Sequence, residues 1–159
     1  MKQVLFKSGK AFVENTPAPS VEPGTVLVHV EYSCISAGTE ISGVRSSGEP
    51  IWKRALKHPD EVKQVLSMVS NQGIRRIHRM VKGKLTSGAA LGYSAAGKVI
   101  AVGEGISDLV EGDKVACAGA QCAHHAEVIR VPRNLVARMP KDLSMKSGST
   151  VTLGTIALH

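Results

Sequence analysis

Four side chains lie within nine residues of each other and could do chemistry. They are Cys117, Cys122, His124 and His125, spaced Cys-x4-Cys-x-His-His. Thiolate and imidazole are donors that zinc prefers, and a structural site closes four of them into a tetrahedron. This spacing departs from the standard zinc patterns, and adjacent histidines in a tight loop seldom share one ion. The alternative is a strand cysteine, a loop cysteine and surface histidines. Phosphate chemistry has less support. No Gly-x-Gly-x-x-Gly opens a helix after a strand, and Gly103-Glu104-Gly105 joins two strands as a turn. His29 falls inside an alternating strand and reads as an edge residue rather than a ligand.

The elements that must hold these residues centre on Gly92 to Cys117. A strand of small residues, Ser94-Ala95-Ala96-Gly97, runs on through Val99 to Val102 and breaks at Gly103. Small residues in a strand allow close approach of another backbone or a ligand. Glu111-Gly112-Asp113-Lys114 then turns the chain into Val115-Ala116-Cys117. Upstream, Gln3 to Lys7 and Ala11 to Glu14 read as a hairpin around Ser8-Gly9-Lys10. Pro17, Pro19, Pro23 and Gly24 make an extended link. Thr25 to Ser33 alternates, with Val26, Val28, Val30 and Tyr32 on one face. Strands are expected again at Ala126–Val131 and Leu135–Met139. A loop at Pro140–Leu143 follows, Ser144 is placed to cap a helical turn, and Val151–His159 reads as an apolar helix.

Residues 45 to 84 change character. Val62, Val65, Leu66 and Val69, then Ile74, Ile77 and Val81, recur at helical spacing. Pro50 and Pro59 open helical turns, and Asn71-Gln72-Gly73 and Gly83 close them. The segment predicts an insert of two or three amphipathic helices in a β domain. It holds ten Lys or Arg against three acids, which accounts for the whole net charge of +7. A solvated basic face is the plain explanation. A stand-alone module that grips an acidic partner or nucleic acid through this insert is the alternative. Against nucleic acid, Trp52 is its one aromatic for stacking.

The 159 residues suit one domain, and a chain of this size buries roughly 68–70% of its unfolded surface. Aromatic residues make up 3%, so the core is expected to be aliphatic. Three irregularly spaced cysteines argue against a disulfide framework and fit a reducing cytoplasm. The N-terminus has no apolar signal region, and no apolar run approaches the roughly 20 residues of a membrane span.

In order along the chain, the strand at Gly92–Gly97, Val102-Gly103-Glu104-Gly105 and Glu111-Gly112-Asp113-Lys114-Val115 resemble the catalytic domain of medium-chain dehydrogenases/reductases. Val26–Glu40 resembles that family's first catalytic-domain strand and the loop after it. His125-Ala126-Glu127 with Val131–Leu135 resembles its closing strand pair, and Thr152–His159 its linker helix. The likeness covers nearly the whole chain apart from the insert. It is narrowest to the zinc-less N-terminal part of two-part oxidoreductases. Those join this module to a second, Gfo/Idh/MocA-like unit and are linked to surface polysaccharide synthesis.

The resemblance implies a mainly β (α+β) fold over 1–159. It would be a GroES-like partly open β-barrel with a helical insert at 45–84 and a C-terminal helix at 151–159. The Rossmann domain would lie outside this chain, in the same polypeptide. The family's three zinc-ligand positions fall on Ser36, Tyr93 and Thr152, none a good zinc ligand, so no zinc is expected. A zinc-less relative still takes hydride from NAD(P), and a hydroxyl must then protonate the substrate oxygen. By position these hydroxyls are Tyr93, Thr39 and Ser36, with Glu40 behind them. His125 would be structural or face the substrate, and Thr155 would approach the cofactor. The implied function is the substrate-binding half of a zinc-independent, cytoplasmic oxidoreductase acting on a small, sugar-derived molecule, inactive alone. The apolar end at Val151–His159 is expected to seek a partner surface, giving weak self-association.

Overall fold

The computed structural model describes residues 1–48 and 88–158, the side chains of 43 and 45–48 excepted. Most of the expected insert, including both apolar stripes, lies outside the described residues.

Strands β1 (Lys2–Lys7) and β2 (Lys10–Asn15) form the expected hairpin. Ser8 and Gly9 both take positive φ, 51° and 78°, the two-residue turn whose twist matches the strands it joins. With β4 (Ala89–Ala90) they make a three-stranded sheet in the order β2-β1-β4. The second sheet holds β3 (Thr25–Ser33), β5 (Ser94–Val102), β6 (Lys114–Ala118), β7 (Val128–Pro132) and β8 (Val136–Arg138). Its order is β7-β3-β5-β6-β8, antiparallel throughout. The β1 edge is tied to the β7 approach by a Gln3–Ala126 bridge. A four-residue helix α2 (Met145–Gly148) starts at Ser144, whose hydroxyl accepts from the Ser147 N–H as the sequence predicts. Helix α3 (Val151–Leu158) follows, with none of its residues buried.

The core is aliphatic. Val26, Val28, Val99, Val115 and Val131 are its largest fully buried side chains. They are β-branched residues that suit a pleated sheet. Close packing depends on the small residues of β5. A Cβ at Gly97 would run into the His29 carbonyl oxygen of β3, so β3 and β5 pair here only because residue 97 has no side chain.

Two expectations need correction. Tyr32 does not share the buried face of Val26 and Val28; it is half exposed. Val30 pairs with Gly97 and Tyr32 with Ala96, so Glu31 is an extra residue on β3. Such a bulge reverses the facing of everything after it. Tyr32 therefore turns outward and Ser33 inward. Second, the loop expected to run through Glu40 ends sooner. Helix α1 spans Ala37–Gly48, overlapping the expected start of the insert. Ser36 stands at its N-cap, and the Glu40 carboxylate reaches back to accept the Ser36 N–H at 2.9 Å. That satisfies a backbone donor at the helix start and sets a negative charge at the positive end of the helix dipole.

Candidate functional site

The bulge in β3 delivers Ser33 to the best-formed polar cluster among the described residues. The Ser33 Oγ lies 2.8 Å from His125 Nδ1, and the Glu40 Oε2 lies 2.8 Å from His125 Nε2. His125 and Glu40 are buried. Three backbone hydrogen bonds fix the surroundings. The His125 N–H donates to the Leu91 carbonyl, the Val4 N–H to the His125 carbonyl, and the Cys34 N–H to the Ser94 carbonyl. Gly92 leaves room for His125: its φ is +100°, and a Cβ there would sit 2.7 Å from the His125 backbone nitrogen and 3.0 Å from its ring Cγ. A side chain at 92 would be both strained and obstructed.

A cavity of about 580 Å³ opens beside this cluster. Its walls are mostly apolar, with Val4, Ile35, Ile41, Val44 and Leu91 facing Ser33, Glu40 and His125. The cluster spans 92 residues of sequence from Ser33 to His125 and 85 from Glu40. No local motif announces it. The signals available were a His-Ala-Glu step and a Thr-Glu pair, and neither says that they meet.

The hydroxyls singled out by sequence fall in two groups. Ser36 and Thr39 come together at the start of α1, their oxygens 3.5 Å apart. The loop carrying Ser36 runs beside the start of β5, because Cys34 is bonded to Ser94. Tyr93, the residue before β5, is half-buried, and no hydrogen bond joins it to Ser36 or Thr39. Thr155 is exposed on α3, where its hydroxyl donates to the Val151 carbonyl of its own helix. Thr152 Oγ1 is buried and has no hydrogen-bond partner.

The Cys–His set does not converge. Cys117 is in the core, where burial, with a further contribution from Cys122, pushes its thiol up to about 12. Burial also raises the Cys122 thiol and lowers the His124 imidazole. Protonated thiols are poor ligands and nucleophiles. Cys122 and His124 line a separate cavity of about 270 Å³, while His125 turns to Ser33 and Glu40. Among the described residues no three His, Cys, Asp or Glu side chains are grouped to hold a metal. The hydroxyls at 36, 93 and 152 are not donors that zinc favours. No residue described here cradles a pyrophosphate either: Gly103 packs on the Glu22 carbonyl oxygen as part of a turn. Among the described residues, then, none is arranged to hold a zinc ion or a dinucleotide. Among the described residues no helix is long and apolar enough to cross a membrane.

No protein-family model matches the chain. Over 115 residues it is 28% identical to a highly reducing polyketide synthase, ACRTS2, of Alternaria alternata, a match covering 70% of this chain and 4% of that protein. Its backbone superposes on galactitol-1-phosphate dehydrogenase of Escherichia coli with a TM-score of 0.71 at 20% identity, using all of this chain and 44% of that one. An alcohol dehydrogenase superfamily protein of Novosphingobium aromaticivorans gives 0.62 at 20% identity over 94% of this chain and 37% of that one. A mycobacterial protein solved with NADPH gives 0.58 at 18% identity over 91% and 35%. The chain thus spans less than half the length of each protein it resembles. Its fold is the GroES-like fold of the catalytic domain of medium-chain, alcohol dehydrogenase-like oxidoreductases.

Proposed function

We propose that this chain is the substrate-side domain of a zinc-independent, NAD(P)-dependent oxidoreductase. The observation behind this reading is the Ser36–Thr39 hydroxyl pair at the N-terminus of α1, beside the strand start that carries Tyr93, in a fold shared with dehydrogenases. The nicotinamide, held by a dinucleotide-binding domain, supplies hydride. The residues of this chain orient the substrate oxygen and supply its proton. Tyr93 is the donor and Thr39 and Ser36 are the hydrogen-bonding groups beside it, with Thr155 on the side facing the cofactor. The substrate is a small alcohol or carbonyl compound, sugar-derived ones being the first to try, and the compartment is the cytoplasm.

The test is a NADH and NADPH assay of the natural polypeptide containing this chain, across a panel of carbonyl compounds. Tyr93→Phe is expected to lower kcat by about 10²–10⁴-fold, with less than one zinc in ten chains by elemental analysis. Full turnover in Tyr93→Phe sinks the assigned donor, and stoichiometric zinc required for turnover sinks the reading. The alternative, a module gripping an acidic partner or nucleic acid through the basic segment 45–84, rests on residues almost all of which lie outside the described ones.

Helix α3 belongs to the same proposal. Val151, Ile156 and Leu158 are exposed, Leu158 at 92%, and exposed apolar surface of this kind is stabilised by cover. Its cover is the dinucleotide-binding domain. In the isolated chain, weak self-association is expected by sedimentation and should vanish when residues 151–159 are removed. A strictly monomeric full chain at high concentration would count against it.

A further inference from the structure

In the Ser33–His125–Glu40 cluster the Ser33 hydroxyl keeps two of its three hydrogen-bonding positions, while each Glu40 oxygen, with one contact, can only accept further. Glu40 uses Oε1 on the Ser36 N–H and Oε2 on His125. His125 uses both ring nitrogens. Each of these groups is engaged from both sides. The Ser33 hydroxyl has one donor and two acceptor positions, and the single contact to His125 occupies one of the three. Ser33 also lines the 580 Å³ cavity, together with the apolar residues Val4, Ile41 and Leu91. No lysine or arginine lines it among the described residues. A buried histidine and carboxylate satisfied in this way hold a neighbouring hydroxyl in one orientation.

We propose that this cavity is a binding site for a neutral small molecule with an apolar body and one hydroxyl group, seated on Ser33. His125 and Glu40 are positioning residues. The apolar walls select the body of the ligand, and the Ser33 hydroxyl selects one oxygen rather than several. A polyol would leave most of its hydroxyls facing hydrocarbon without partners, which costs affinity. An anion would meet the Glu40 carboxylate with no cation among the described lining residues to offset it. The site uses none of Tyr93, Thr39 or Ser36 side-chain oxygens, so it stands or falls separately from the redox reading.

Binding is measured without cofactor, by amide chemical-shift titration of the full chain with benzyl alcohol, toluene, benzoate and glycerol. Benzyl alcohol is expected to give saturable shifts at Ser33, Ile41 and Leu91, with an affinity about three- to tenfold above toluene. Benzoate and glycerol should give none. Ser33→Ala should bring benzyl alcohol down to the toluene value with toluene unchanged, and Ser33→Thr should restore the difference. The toluene arm also reports that Ser33→Ala has kept its fold. Saturation by glycerol or benzoate, no saturable shift with benzyl alcohol, or an undiminished preference in Ser33→Ala would each overturn the proposal.

Discussion

Gly97→Ala is expected to cost the domain upward of about 3 kcal/mol. The added methyl would strike the His29 carbonyl oxygen, its carbon and the Val30 Cα, all backbone atoms of the paired strand. A flexible side chain could swing aside, but a strand in mid-ladder cannot. Residues 97 and 30 are a register pair, and residues 98 and 29 the next. The collision therefore forces β3 and β5 apart at the centre of the five-stranded sheet. Gly38→Ala is the matched control. Nothing lies within 4 Å of a Cβ there, and alanine is the better helix former by about 0.5–1 kcal/mol. Urea unfolding followed by circular dichroism separates the two. The midpoint should fall sharply for Gly97→Ala and hold or rise for Gly38→Ala. Equal midpoints would mean that β3 and β5 do not pack as described.

Glu40→Leu is the second large effect, at about 2–4 kcal/mol. The carboxylate is 8% exposed and serves two donors, His125 Nε2 and the Ser36 N–H. Its removal leaves a buried imidazole nitrogen without a partner and takes the support from the start of α1. An unpaired buried polar group costs more than the pair contributes, so removing both partners should hurt less than removing one. The double variant Glu40→Leu/His125→Leu is expected to recover part of the loss, with a coupling energy of about 1–3 kcal/mol from the full cycle. Simple additivity of the two single changes would show that the contact carries no energy. A Glu40→Leu variant as stable as the parent would show that it does not form.

Those two positions were not equally visible in the sequence. The stretch Ser94-Ala95-Ala96-Gly97 read as a strand closely approached by something. The structure supplies the something, the His29 carbonyl, and the inference needed only residue size. Glu40 read as part of a loop. The helix forms because Ser36 and Glu40 close its first turn, a pairing of side chain with backbone that apolar periodicity does not register.

The sequence by itself determined the strands other than β4, the turns between them and the helix cap at Ser144. Each of these depends on residues within a few positions of each other. Alternation placed β3, glycines with positive φ placed the turns, and small residues marked the tight contact in β5. It also determined that the core would be aliphatic, because too few aromatics were present to build another kind. The tertiary structure alone decided the strand order β7-β3-β5-β6-β8, the bulge at Glu31 and the meeting of Ser33, Glu40 and His125. Strand order depends on pairings between distant segments, and local preference is silent about them. The bulge arises from two strands finding a common register, and by adding one residue it sends Tyr32 outward and Ser33 inward. His125 reaches Glu40 only because β1, β3 and the segment before β7 converge on the one gap that Gly92 leaves open.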